Sequence, residues 1–178
     1  MNNRILILFV LTVLLLFSCK SETEKPKAEY NQKANELIQQ LILEEKSECI
    51  LEIPQETTME FEELENPRFN SEIYYSRRLS KKDINEMDSL SKIKQSFKLD
   101  SEFIKTKNIK MIRRDSIRIL YRDINFLTKT CKNGVTYFNK PNFNKDFDVA
   151  TISYGTSGMC TGTGSKIFIY KNNKWNKK

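Results

Sequence analysis

The sequence predicts an α+β fold: two helices with an antiparallel β meander at the C-terminus. Three observations carry this. Tyr30, Ala34, Leu37, Ile38, Leu41 and Ile42 recur at helical spacing, with Asn31, Asn35, Glu36 and Gln39 on the opposite face. A second helical stretch starts at Ser80, three residues before Asp83, in a capping pattern. From Val135 onward the chain is a series of short β runs separated by turn residues. Helices come first and strands last, rather than alternating, and this segregation favours α+β over a parallel α/β sheet.

The N-terminus has a different character. Met1 to Arg4 is a short basic start, and Ile5 to Phe17 is an apolar run of thirteen residues broken only by Thr12. A membrane-spanning helix needs ~20 apolar residues. Thirteen suits the apolar core of a signal peptide, with small Ser18 next to the expected cut. Residues 1–18 are therefore expected to be a cleaved signal peptide. The polar stretch after Cys19 contains Pro26 and reads as a tether over 19–28. A single α+β domain is expected over 29–178.

Within that domain the first helix is expected over 29–46. Cys49, Leu51 and Ile53 alternate with Glu48, Ile50 and Glu52, which predicts a strand ended by Pro54. A weaker strand is expected at Met59–Phe61 and another over Glu72–Ser76. The helix that opens at Ser80 continues through Ile84, Met87, Ser91 and Lys94 to about Gln95. Ile109–Ile112 and Ile117–Tyr121 read as strands flanking a turn at Arg114 and Asp115. Val135–Phe138, Val149–Tyr154 and Lys166–Tyr170 are β runs, with a turn-like segment from Pro141 to Asp146 and a tight turn at Asn172–Asn173 before Lys174 and Trp175.

Composition excludes several chemistries. The chain has 178 residues and no His. That removes a Ser-His-Asp triad, a Cys-His pair, a His-ligated zinc and a His general base. Hydrophobic residues make up 39%, below the usual ~45–50%. Charge is lopsided: residues 22–72 hold 14 Glu against 5 Lys or Arg, whereas residues 73–178 hold 23 Lys or Arg against 9 Asp or Glu. Two halves of opposite sign that face each other within one fold account for this, and because the basic residues are mostly single, no nucleic-acid partner is expected.

Four of the five glycines (Gly155, Gly158, Gly162 and Gly164) fall in one short segment around Cys160, the best candidate ligand loop. It is neither a P-loop, since Ser165 precedes Lys166 and the glycine spacing is wrong, nor a dinucleotide fingerprint, since Ile167 stands where the third glycine is needed. Arg114, Arg118 and Arg122 form a candidate anion stripe if the segment through Arg122 is a strand. Glu44–Glu45 and Glu62, Glu63 and Glu65 read as solvated carboxylates, and Tyr74, Tyr75, Phe143 and Phe147 as packing residues. No metal site and no cofactor is expected. For the cysteines beyond Cys19, three readings stay open: a Cys131–Cys160 disulfide, a pairing of either with Cys49, or buried thiols.

Two resemblances bear on function. Leu16-Phe17-Ser18-Cys19, after the apolar run, resembles the lipobox of bacterial lipoproteins. The resemblance implies that Cys19 receives a diacylglyceryl thioether and becomes the first residue of the mature chain. Lys20 rather than Asp after the cysteine implies the outer membrane, and Ser21-Glu22-Thr23-Glu24 loosely resembles surface-export tags of Bacteroidota lipoproteins. Further along, Tyr137 to Phe143, Ala150, Ser153-Tyr154-Gly155, Cys160 to Gly164, Ile169-Tyr170 and Asn173-Lys174-Trp175 resemble the C-terminal module of small exported Bacteroidota-type proteins. That module implies an antiparallel sheet and no particular activity. The expectation is a lipid-anchored envelope protein that works as a binding or interaction module and contacts the membrane through Cys19 and an envelope protein partner. The alternative is a small envelope hydrolase or transferase using the loop around Cys160.

Overall fold

The computed structural model describes residues 24–53, 75–91, 97–116, 129–157 and 164–178. It is a mixed α+β fold with one sheet of seven strands and a few helices.

Helix α1 spans Glu24–Glu44. It starts five residues sooner than expected, so the tether does not reach Ala28. Glu24, Lys25, Lys27 and Ala28 are good helix formers, and Pro26 sits in the first turn, where a missing N–H costs nothing. The predicted stripe is the buried one: Tyr30, Ala34, Leu37, Ile38, Leu41 and Ile42 are all in the core. Burying an aliphatic side chain contributes roughly 1.5–3 kcal/mol, so this face holds the helix to the sheet. The Tyr30 hydroxyl donates to the Pro141 carbonyl at 3.1 Å, and the Gln40 amide donates to the Trp175 carbonyl and accepts from its N–H.

The helix ends at a left-handed residue, Lys46, with φ 52°. Ser47 N–H bonds the Ile42 carbonyl at 3.0 Å and Lys46 N–H bonds that of Leu43 at 3.3 Å, the closure of a Schellman cap. Strand β1, Cys49–Leu51, follows. Both of its faces are covered: Ile50 is buried under α1 and Cys49 on the far side. The expected alternation of buried and exposed residues therefore gives way to an interior strand, which is apolar on both sides.

Tyr75 and Ser76 are not a strand. Arg78 N–H and Leu79 N–H both bond the Tyr75 carbonyl, forming a helical turn. The turn brings Tyr75 and Leu79, four residues apart, into one cluster with Met87 and Ile167, a packing gain that outweighs the β propensity of the tyrosine. Helix α2, Lys81–Ser91, carries the predicted cap: Ser80 Oγ accepts from Asp83 N–H at 3.1 Å and donates to the Asp83 carboxylate at 2.6 Å. Helix α3, Ser101–Thr106, was not signalled by periodicity because it is only six residues long; Asp100 caps it through Glu102 N–H. Strand β2 is Lys110–Ile112, and Arg114 to Ser116 form a helical turn. The strands expected at Met59–Phe61 and Ile117–Tyr121 lie outside the described residues, as does the end of the second predicted helix.

The C-terminal part is mostly antiparallel. Strands β3 (Val135–Phe138), β5 (Val149–Ser157), β6 (Gly164–Lys171) and β7 (Lys174–Lys177) pair antiparallel in succession. The predicted turn at Pro141–Asp146 contains a two-residue strand, β4 (Asn142–Phe143), on β5. Asn172 and Asn173 have φ 54° and 58°, the signature of a two-residue type I′ hairpin between Lys171 and Lys174. No local sequence pattern points to the parallel half of the sheet: β1 pairs parallel with both β2 and β3, giving the order β2-β1-β3-β5-β6-β7.

Side-chain alternation then sorts the core. Ala150, Ile152, Tyr154, Phe168 and Trp175 join α1 in the main cluster. Ile167 and Val149, on the opposite face, meet α2. The Phe143 and Phe147 rings lie 5.6 Å apart in the core, tilted by 50°, packing residues as expected.

Candidate functional site

Two of the four clustered glycines lie in strands. Gly155 lies within β5, opposite Tyr137, and Gly164 opens β6, opposite Tyr154. Their backbones belong to the ladder, so they are not free to cradle a ligand. Gly158, Gly162 and Cys160 lie outside the described residues.

Just before this segment, on the α1 face, several polar side chains converge. Ser47, Thr136 and Thr156 form a hydroxyl chain with spacings of 2.8 and 3.2 Å. The Tyr154 hydroxyl donates to Glu45 at 3.3 Å, and Lys166 Nζ sits 3.8 Å from the centre of the Tyr154 ring. Burial, together with the Glu45 charge, pushes the Tyr154 hydroxyl well above the ordinary tyrosine range, so it stays protonated as a donor. Burial and the nearby Lys177 pull Lys166 below the ordinary lysine range, with Glu45 opposing. The cluster is knitted by its own bonds: Glu45 holds Tyr154, and each threonine has a hydroxyl neighbour. It seats the end of α1 on the sheet.

The other predicted residues fare differently. Cys131 is bonded to Cys49, not to Cys160: the Cα atoms are 5.7 Å apart and both residues are almost fully buried. The reason is the parallel pairing of β1 beside β3, which carries Cys49 to the approach of β3 across 82 residues of chain. Arg114 is not on a strand. Ser116 N–H bonds the Arg113 carbonyl to close a turn, and Arg114 Nε donates to the Glu52 carbonyl at 3.0 Å, tying this turn to the chain after β1. Arg118 and Arg122 lie outside the described residues, as do Cys19, Glu62, Glu63 and Glu65. Glu44 accepts from Gln40 and pairs with Lys174 at 3.6 Å, so it serves the fold.

Two grooves flank α1. The first, about 510 Å³, holds an amide clamp: Asn31 accepts from Lys98 N–H, while Asn35 accepts from Asp100 N–H and donates to the Lys98 carbonyl. These amides are engaged in holding the segment before α3. The second, about 640 Å³, lies between the end of α1 and the end of α3, beside β1 and β2. No sequence signal marked it. Lys46 and Lys110 are more than sixty residues apart, and only the parallel β1–β2 pairing brings them together.

Among the described residues no group of His, Cys, Asp or Glu is placed to hold a metal ion, and no helix is long and apolar enough to cross a membrane. Comparison with known proteins gave no matching family model, no matching curated protein and no matching solved structure.

Proposed function

We infer that this is an exported, lipid-anchored envelope protein that acts as a binding or interaction module. Residues 1–18 are its signal peptide, Cys19 carries the lipid, and a short tether leads to the folded part. Lys20 favours the outer membrane as its home, and an envelope protein is its expected macromolecular partner. The observation that supports export is the buried Cys49–Cys131 disulfide. Such bonds persist in oxidising compartments and are rare where cytosolic reductants operate. The leader pattern ending at Cys19 gives the route, and two or more acyl chains give stable anchoring without a spanning helix.

Binding rather than catalysis is favoured by the way the polar cluster at Tyr154 is used up by internal bonds. The test is metabolic labelling with an alkyne palmitate, followed by membrane fractionation. The wild-type chain takes the label and sediments with membranes, while Cys19→Ala is unlabelled and leaves the pellet. A Cys19→Ala chain that is still trimmed after residue 18 and still sediments would overturn the anchor.

A further inference from the structure

We propose that the cleft between the ends of α1 and α3 is a binding site for a small anion with an apolar body, of the medium-chain carboxylate type. The proposal takes up the binding-module reading and rests on that part of it; the anchor at Cys19 is tested separately, so the two fail independently. Three features carry it.

The first is chemistry. The cleft of about 640 Å³ is of ligand-pocket size and is lined wholly by described residues. Lys46, Lys107 and Lys110 line it, all exposed, and among the described residues none of the three pairs with a carboxylate. Glu48 is the one acidic side chain in the lining, which leaves an excess of positive charge. The same lining includes Ile42, Ile109 and Leu43, the last 52% exposed and one of only two large apolar side chains so open among the described residues. Lysine stems add apolar wall below their charged tips. Three lysines lining one cleft with an exposed leucine match a carboxylate head on a hydrocarbon body.

The second is rigidity. Both lips are helix ends closed by the same cap. Lys46 and Asn108 are left-handed, with φ 52° and 53°. Ser47 N–H reaches back to Ile42, and Ile109 N–H reaches back to Ile104. Behind them Lys110 N–H bonds the Glu48 carbonyl at 2.8 Å, and the Cys49–Cys131 bond fastens the wall. The site is formed before a ligand arrives, which lowers the cost of binding.

The third is Lys46 itself. Glycine is the usual occupant of that left-handed cap position, and a long side chain there is conformationally costly. The cost is rational if the ammonium at the lip is needed.

The test uses the full chain in a neutral maltoside detergent with a diazirine-bearing medium-chain carboxylate as photoprobe. Labelling is expected on peptides containing Leu43 or Lys107 to Lys110, with competition by octanoate but not by octylamine or inorganic phosphate. The triple variant K46Q/K107Q/K110Q should lose labelling about tenfold or more, while K46R/K107R/K110R keeps it. Both variants should melt close to wild type, since all three positions are exposed. Label spread over the surface, label retained in the glutamine variant, or octylamine competing as well as octanoate would overturn the proposal. Phosphate competing equally would overturn the apolar half of it.

Discussion

Asp83 shows how one side chain can carry a pH dependence. Burial works against its charge, but hydrogen bonds from the Ser80 hydroxyl and the Asn144 amide outweigh that, so its carboxyl is held below the usual carboxylate range. A lowered native pKa contributes stability that is present above the unfolded value of about 3.9 and is lost as pH falls through the native value. Asp83→Asn should therefore cost about 1 kcal/mol at neutral pH, and the gap to wild type should narrow in acid, as pH falls below the ordinary carboxylate range and through the lowered native value of Asp83. Urea melts at several pH values check this, and a gap that stays constant would contradict it. Ser80→Ala should cost a similar amount, about 1 kcal/mol, by exposing the first turn of α2. Lys46 makes the opposite case. Lys46→Gly relieves the left-handed strain and should raise stability by about 0.5–1 kcal/mol while weakening carboxylate labelling. A glycine variant no more stable than wild type would show that the cap bears no strain.

At the scale of elements, the best-read parts of the chain were those governed by local rules. The apolar stripe of α1, the Ser80 cap and the Asn172–Asn173 turn each follow from a few neighbouring residues, and each is present. In the turn, both asparagines must hold positive φ, which β-branched residues resist. Asn173→Val should destabilise the hairpin by about 1–2 kcal/mol, while Asn173→Gly should be neutral or stabilising; thermal melts distinguish the two. Elements set by distant packing were harder to read. Tyr75 has the composition of a strand and becomes a turn because Leu79 and Ile167 lie within reach. Helix α3 is too short for periodicity to show. The start of α1 was missed because Pro26 signals a break in mid-helix but not in a first turn.

The whole molecule depends on a join that no local pattern reveals. The antiparallel strands β3 to β7 are close in sequence, and their pairing was legible. The parallel strands β1 and β2 come from separate parts of the chain, and nothing in either short apolar run names the other as a neighbour. The same blindness hides the cleft and leaves the disulfide as one of three open readings, since both depend on β1 lying between β2 and β3. At this scale too, Glu44 of the acidic half reaches Lys174 of the basic half. Closing an 82-residue separation, the Cys49–Cys131 bond is expected to contribute about 4–5 kcal/mol by restricting the unfolded chain. A Cys49→Ala/Cys131→Ala double variant should lose a similar amount in chemical denaturation.

Export, anchoring and oxidation make one joint prediction, and intact-mass measurement after thiol alkylation without reductant tests it most directly. Protein taken from the envelope should begin at Cys19, carry the mass of its acyl chains and accept a single alkyl group, on Cys160, with Cys49 and Cys131 held in their disulfide and the Cys19 sulfur in the proposed lipid thioether. An unprocessed chain without lipid, or one that accepts alkyl groups on Cys49 and Cys131, would contradict the account.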